Sequence, residues 1–133
     1  MIFYTHTSVY VNDIFVGDIC AVFYPKGGEN MEDKTAEYAA IFDENIKAHG
    51  TDFEAGIAME ECAELIQAIS KVRRYGFVGK YKDNLLEEIA DVDIVLTELM
   101  MMFDIEGEEF YSVLDRKVQR IKSRLEENKD KRL

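Results

Sequence analysis

The chain has 133 residues, 47% of them hydrophobic, and a formal net charge of −11, which is enough for one domain with a core and too little for two. The negative charge argues against a nucleic-acid polymer, whose binding needs a basic footprint to release counterions, and against an anionic membrane surface. With no basic leader at Met1 to Tyr10 and no clean apolar run of about 18 residues, the chain reads as cytoplasmic, with no membrane partner.

Residues 2 to 24 are rich in Val, Ile, Phe, Tyr and Thr, and Val11-Asn12-Asp13 separates two β-prone runs, Ile2 to Tyr10 and Ile14 to Tyr24. A β-hairpin is predicted there. An isolated hairpin is marginal in water, so this arm is expected to pack on a helical body or a second subunit. Pro25 to Asn30, with Gly27-Gly28, reads as a linker, not a phosphate loop, because no Gly-Lys-Ser/Thr follows. The division expected is an arm and linker over 1–33 and a helical domain over 34–133.

From Lys34 to Ala48, Tyr38, Ile41, Phe42 and Ile46 recur at helical spacing, and His49-Gly50 is a stop signal. A second helix, with Thr51 or Asp52 as its cap, carries Phe53, Ile57, Ala58, Cys62, Leu65, Ile69 and Val72 to about Arg74. Asp83 or Asn84 is the candidate cap of a third, whose stripe is Leu85, Ile89, Val92, Leu96, Leu99 and Phe103. The fourth is expected from about Glu108 to Glu127, with Phe110, Val113, Leu114, Val118, Ile121 and Leu125 on one face. Four helices with short connections give an all-α four-helix bundle with antiparallel neighbours, carrying the short β-hairpin as an arm.

Of the 16 Lys and Arg, five lie between Lys71 and Lys82 and eight between Arg116 and Arg132. Most complement helix C-terminal dipoles, and a minority are candidates for phosphate contacts. Cys20 and Cys62 have neither CxxC nor zinc spacing and read as small reduced core residues. His6 and His49 read as structural or surface residues, and the Met100-Met101-Met102-Phe103 run as part core, part subunit contact.

Glu61 and Glu64 are three apart, so they project from one face of the second helix about a turn apart. Glu88 and Asp91 repeat the arrangement on the third. Other acids share this spacing, such as Glu29 with Glu32 and Glu106 with Glu109, but only the two central pairs adjoin long apolar stripes. Four carboxylates converging between two helices repel one another unless something positive lies between them. All-oxygen ligation suits Mg²⁺, with Mn²⁺ a possible substitute, and Mg²⁺ is commonly completed by substrate phosphates. Glu98, seven residues beyond Asp91, is expected to face solvent.

Glu60-Glu61-Cys62-Ala63-Glu64, followed after 23 residues by Glu88-Ile89-Ala90-Asp91, resembles the Glu-Glu-x-x-Glu and Glu-x-x-Asp motif of the MazG-like all-α nucleoside triphosphate pyrophosphohydrolases. The contexts Ala58 to Lys71 and Asn84 to Val92 resemble that family too, as does Lys117-Val118-Gln119-Arg120, so the likeness spans about residues 34 to 126. It implies a homodimer or homotetramer that hydrolyses a nucleoside triphosphate to monophosphate and pyrophosphate with Mg²⁺. By that resemblance Glu61, Glu64, Glu88 and Asp91 are metal ligands, and Glu60 and Glu61 are placed in the catalytic group. The leaving pyrophosphate needs positive charge; Lys71 is the first candidate, followed by Arg74, Lys80, Lys117 and Arg120. Alternative readings are a phosphoribosyl-ATP pyrophosphohydrolase of the same superfamily and a non-enzymatic acidic helical adaptor. A di-iron bundle needs Glu-x-x-His pairs, which the chain lacks.

Overall fold

The computed structural model describes residues 10–11, 14–15 and 31–130. Two short strands, β1 (Tyr10–Val11) and β2 (Ile14–Phe15), pair antiparallel with Tyr10 opposite Phe15 and Val11 opposite Ile14. The rest of the arm expected over residues 2 to 24 lies outside the described residues, as do the linker at 25–30, His6 and Cys20. Four helices follow: α1 (Met31–His49), α2 (Thr51–Tyr75), α3 (Gly79–Met102) and α4 (Gly107–Asp130). The all-α class and the four helices match the sequence expectation. No helix among the described residues is long and apolar enough to cross a membrane.

The joints are short and glycine-dependent. Gly50 alone separates α1 from α2; its N–H closes α1 onto the Ile46 carbonyl at 2.8 Å, and its own carbonyl accepts the first bond of α2 from Glu54 at 3.1 Å. One residue serving as both stop and start needs backbone angles of φ +90° and ψ 153°, a region open essentially to glycine alone. Neither Thr51 nor Asp52 caps α2, because Gly50 holds that position and no side chain bonds there.

Three residues, 76 to 78, join α2 to α3, and the rings of Tyr75 and Tyr81 stack across the joint with centroids 4.8 Å apart. The stack corrects the expected start of α3. Helix resumes at Gly79, directly after the turn, so Asp83 and Asn84 lie inside the first turns of α3 and do not cap it. The two helices run antiparallel and form the main packing pair of the molecule, with α1 lying against both.

Small residues let α2 and α3 approach closely. Ala58 and Ala68 on α2, Val95 on α3 and Ala39 on α1 are the buried apolar side chains among the described residues, and none of the large ones is fully buried. Cys62 is exposed, which corrects its expected core position, although it stands only one turn beyond the buried Ala58. Many stripe residues are uncovered likewise, including Phe53, Ile69, Leu96 and Phe103. The fourth helix is the extreme case. It makes only marginal contact with the other three, and Phe110, Val113, Val118, Ile121 and Leu125 stand 40 to 58% exposed along its apolar face.

Candidate metal centre

The α2–α3 pair fixes which residues meet. Tyr75 faces Tyr81 at the turn, Lys71 reaches Asn84 four residues back, and further along the same seam Glu61 meets Glu88 and Asp91. One carboxylate oxygen from each of these last three lies within 4.8 Å of the others. The spacing of three between Glu88 and Asp91 puts both on one side of α3, Glu88 half-buried and Asp91 exposed, so the antiparallel pairing brings one acid of α2 against two of α3.

Such a group is electrostatically costly when empty of positive charge. Partial burial, followed by the charges of Asp91, Glu64, Glu88 and Glu60, pushes the Glu61 carboxyl above its ordinary range. Glu88 contributes the clearest sign of what the arrangement could accept. Its Oε1 accepts a short 2.6 Å hydrogen bond from Asn84 Nδ2, while its Oε2 is buried with no hydrogen-bond partner among the described residues. Buried polar atoms are nearly always satisfied, so an orphaned carboxylate oxygen beside two further carboxylates fits a cation. The donor set, oxygen throughout, suits a hard cation and not a soft metal.

The other expected residues are placed less closely. Glu64 and Glu60 are exposed and lie outside the group of three, though both charges act on Glu61. Lys71 Nζ is 3.4 Å from Asn84 Oδ1, which puts it one side chain away from Glu88. Arg74 lies over the Tyr75 ring, 5.9 Å from its centroid, beyond Lys71 toward the turn; Lys80 lies over Tyr81 in the same way at 5.3 Å. Lys117 and Arg120 are exposed on α4, which makes only marginal contact with the helices carrying the acids.

A second polar layer lies two helical turns further from the α2–α3 turn. Glu54 stands seven residues before Glu61 on α2, and Glu98 seven beyond Asp91 on α3; each is only 3% exposed. Glu98 therefore faces inward, not to solvent as its surroundings in the sequence suggest. Its Oε1 accepts a hydrogen bond from Asn45 Nδ2 of α1 at 2.9 Å. His49, at the end of α1, places Nδ1 2.8 Å from Glu54 Oε1 and rests its ring on Phe53. Burial, and secondarily the charge of Glu54, raises the Glu98 carboxyl above its ordinary value, against the opposing effects of the Asn45 bond and His49. Helix α1 supplies the polar partners that make this burial tolerable.

Asn84, Asn45, His49 and Glu54 are not among the candidates that the sequence motif supplies. Heptad spacing was the available signal for Glu54 and Glu98, and the i, i+4 relation to Glu88 was the signal for Asn84. For Asn45 and His49 there was none, because their partners are set by how α1 falls across the other two helices. No known family's sequence model matches the chain, nor does any curated protein or solved structure.

Proposed function

We propose that this chain is a Mg²⁺-dependent nucleoside triphosphate pyrophosphohydrolase of the MazG-like type, converting a ribo- or deoxyribonucleoside triphosphate to the monophosphate and pyrophosphate. The observation that carries the reading is the convergence of Glu61, Glu88 and Asp91, with the buried Oε2 of Glu88 left without a partner. Glu61, Glu88 and Asp91 would hold the ion, with Glu64 as the fourth ligand. Bound there, Mg²⁺ supplies charge neutralisation for the triphosphate and acidifies a coordinated water.

The chain's own residues supply the rest. In the reaction a water oxygen bonds to phosphorus, the bond from that phosphorus to the α–β bridging oxygen breaks, and pyrophosphate departs with that oxygen. The water's proton goes to a carboxylate, for which Glu60 is the candidate, outside the group of three and next to Glu61. Lys71, Arg74, Lys117 and Arg120 are the candidate phosphate contacts, and cations of this kind stabilise charge as it develops on a leaving group. Lys71 is favoured, since it already stands beside Asn84, the hydrogen-bond partner of Glu88.

The uncovered apolar faces of α4 and of the α2–α3 pair support a homodimer or homotetramer, working in the cytoplasm, in which another copy covers them. Such an assembly would allow Lys117 and Arg120 on α4 of one copy to reach the acids of another.

The test is a screen of purified protein with Mg²⁺ against ordinary and damaged nucleoside triphosphates, with phosphoribosyl-ATP included, reading pyrophosphate and monophosphate. Glu61→Gln is the control. Pyrophosphate release that needs both Mg²⁺ and Glu61 supports the reading; no release above the control from any triphosphate defeats it and leaves an acidic adaptor.

A further inference from the structure

Lys71, Asn84 and Glu88 form a chain of hydrogen bonds that crosses from α2 to α3 and ends at the metal centre. Lys71 Nζ lies 3.4 Å from Asn84 Oδ1, and Asn84 Nδ2 lies 2.6 Å from Glu88 Oε1. Chemistry fixes the sense of the chain. An ammonium only donates and a carboxylate only accepts, so the amide oxygen must face Lys71 and the amide nitrogen must face Glu88. Reversing the amide would set donor against donor on one side and acceptor against acceptor on the other.

The consequence falls on Glu88. A carboxylate at an interior helix position has rotational freedom about its last bond, and either oxygen can turn toward a neighbouring charge. Here Asn84, one turn earlier on the same helix, holds Oε1, and the remaining oxygen, Oε2, is the buried atom with no partner. The bond thus selects which oxygen is available to Glu61 and Asp91. It also disperses some of the negative charge that the three carboxylates concentrate.

We propose that Asn84 is a positioning residue for the centre: held in one sense by Lys71, it orients the Glu88 carboxylate so that Oε2 is presented to a divalent cation. This rests on the reading of Glu61, Glu88 and Asp91 as a cation site. It adds a residue that the motif does not contain, and a second task for Lys71. The Lys71 ammonium has three N–H donors; with one directed to Asn84, two remain for a phosphate. The phosphate-binding side and the Glu88 ligand are then joined through a single amide.

The experiment is a Mn²⁺ titration of the full chain without nucleotide, followed by electron paramagnetic resonance of the free ion, alongside thermal melts of the metal-free proteins. Asn84→Leu, close in size but without the amide, is expected to weaken Mn²⁺ binding about tenfold, the loss typical when a ligand's outer hydrogen bond is removed. Asn84→Gln, which restores a donor and an acceptor one bond further out, is expected to recover most of that affinity. Because the amide also satisfies Glu88 Oε1 when no metal is bound, Asn84→Leu is expected to melt below Asn84→Gln in the metal-free state. The Mn²⁺ titrations are therefore run well below both melting temperatures, so that affinity is read on folded protein. Asn84→Ala, the best helix former, provides the same comparison if the leucine variant does not fold.

Wild-type affinity in Asn84→Leu and Asn84→Ala, in a protein that does bind Mn²⁺, overturns this inference and leaves the centre standing. Equal weakening in Asn84→Gln and Asn84→Leu also overturns it, since a donor at that position would then be irrelevant. A wild-type chain that binds no Mn²⁺ defeats the centre and this inference together.

Discussion

Asn45 on α1 donates to Glu98 on α3 at 2.9 Å across 53 residues of chain, a direct side-chain tie between the first helix and the third. The acceptor is among the most buried groups in the molecule, more so than any leucine, isoleucine or phenylalanine among the described residues. Removing the donor therefore leaves a carboxylate oxygen without its protein partner. Asn45→Ala is expected to cost about 1–3 kcal/mol, the usual penalty for orphaning a buried acceptor. Urea unfolding at pH 7 measures it, and a loss within error of zero would show that α1 is held by apolar contact alone.

The same carboxylate sets a pH dependence. Its value in the folded protein is raised above the ordinary 4.5, so the unfolded chain gives up this proton more readily than the folded one. Stability from this group is complete below the ordinary value and is lost as pH rises through it toward the raised one. Glu98→Gln, which keeps an acceptor for Asn45 and cannot ionise, is expected to melt at a higher temperature than wild type at pH 8, with the gap closing toward pH 4. A gap that stays constant over this range contradicts the assignment.

At the candidate metal centre, folding and binding are expected to pull in opposite directions. Without a cation, Glu61→Gln relieves repulsion from Asp91 and its neighbours, and the metal-free variant is expected to be at least as stable as wild type. With Mg²⁺ the order reverses. An ion at 100 times its dissociation constant stabilises the folded chain by about 2.7 kcal/mol, and Glu61→Gln and Asp91→Asn are expected to lose most of that increment. Calorimetric melts with and without Mg²⁺ separate the two contributions; a magnesium-induced rise that survives in both variants places the ion elsewhere.

Gly50 makes a prediction independent of function. At φ +90° a β-carbon there would meet nothing within 4 Å, so the cost of Gly50→Ala is conformational and not steric crowding. A side chain in this backbone region costs about 1–3 kcal/mol. Denaturant unfolding of Gly50→Ala against Gly56→Ala, a mid-helix glycine with equal open space and ordinary φ, isolates the effect. The first is expected to destabilise and the second to stabilise.

The apolar face of α4 gives the last expectation. Replacing Val118 and Ile121 together with Glu is expected to convert an oligomer to monomer, seen as mass by light scattering during size-exclusion chromatography. A monomeric wild type at micromolar concentration removes the premise.

Periodicity made the helices legible because 3.6-residue spacing is a local property, and Gly50 and Gly76 made their ends legible for the same reason. The start of α3 was not, since it depends on Tyr75 stacking on Tyr81 across the turn, a contact that outweighs a good capping residue at Asp83 or Asn84. Glu61, Glu88 and Asp91 were visible as acids beside apolar stripes, and the structure brings them together. Glu98 looked like surface because an isolated acid on a helix is usually solvated; it is buried and bonded to Asn45 of α1, and no local pattern announces a partner 53 residues away. Cys62 failed in the opposite sense, apolar by type and one turn from the buried Ala58, yet exposed.

The three-residue turn at 76 to 78 lies far from the acids it aligns. Glu61 is 14 residues before the end of α2, about 21 Å along the axis at 1.5 Å per residue. The turn touches none of the carboxylates, yet the count of helical residues from it to each acid decides which ones meet. One residue inserted in α3 between Gly79 and Glu88 would turn Glu88 and Asp91 by about 100° about the helix axis and move them by about 1.5 Å along it relative to the turn, carrying both out of the seam while leaving the helix intact. The acids are in this sense tuned from the far end of a lever, and a change in the number of helical residues between the turn and either set of acids would abolish the cluster as surely as replacing its members.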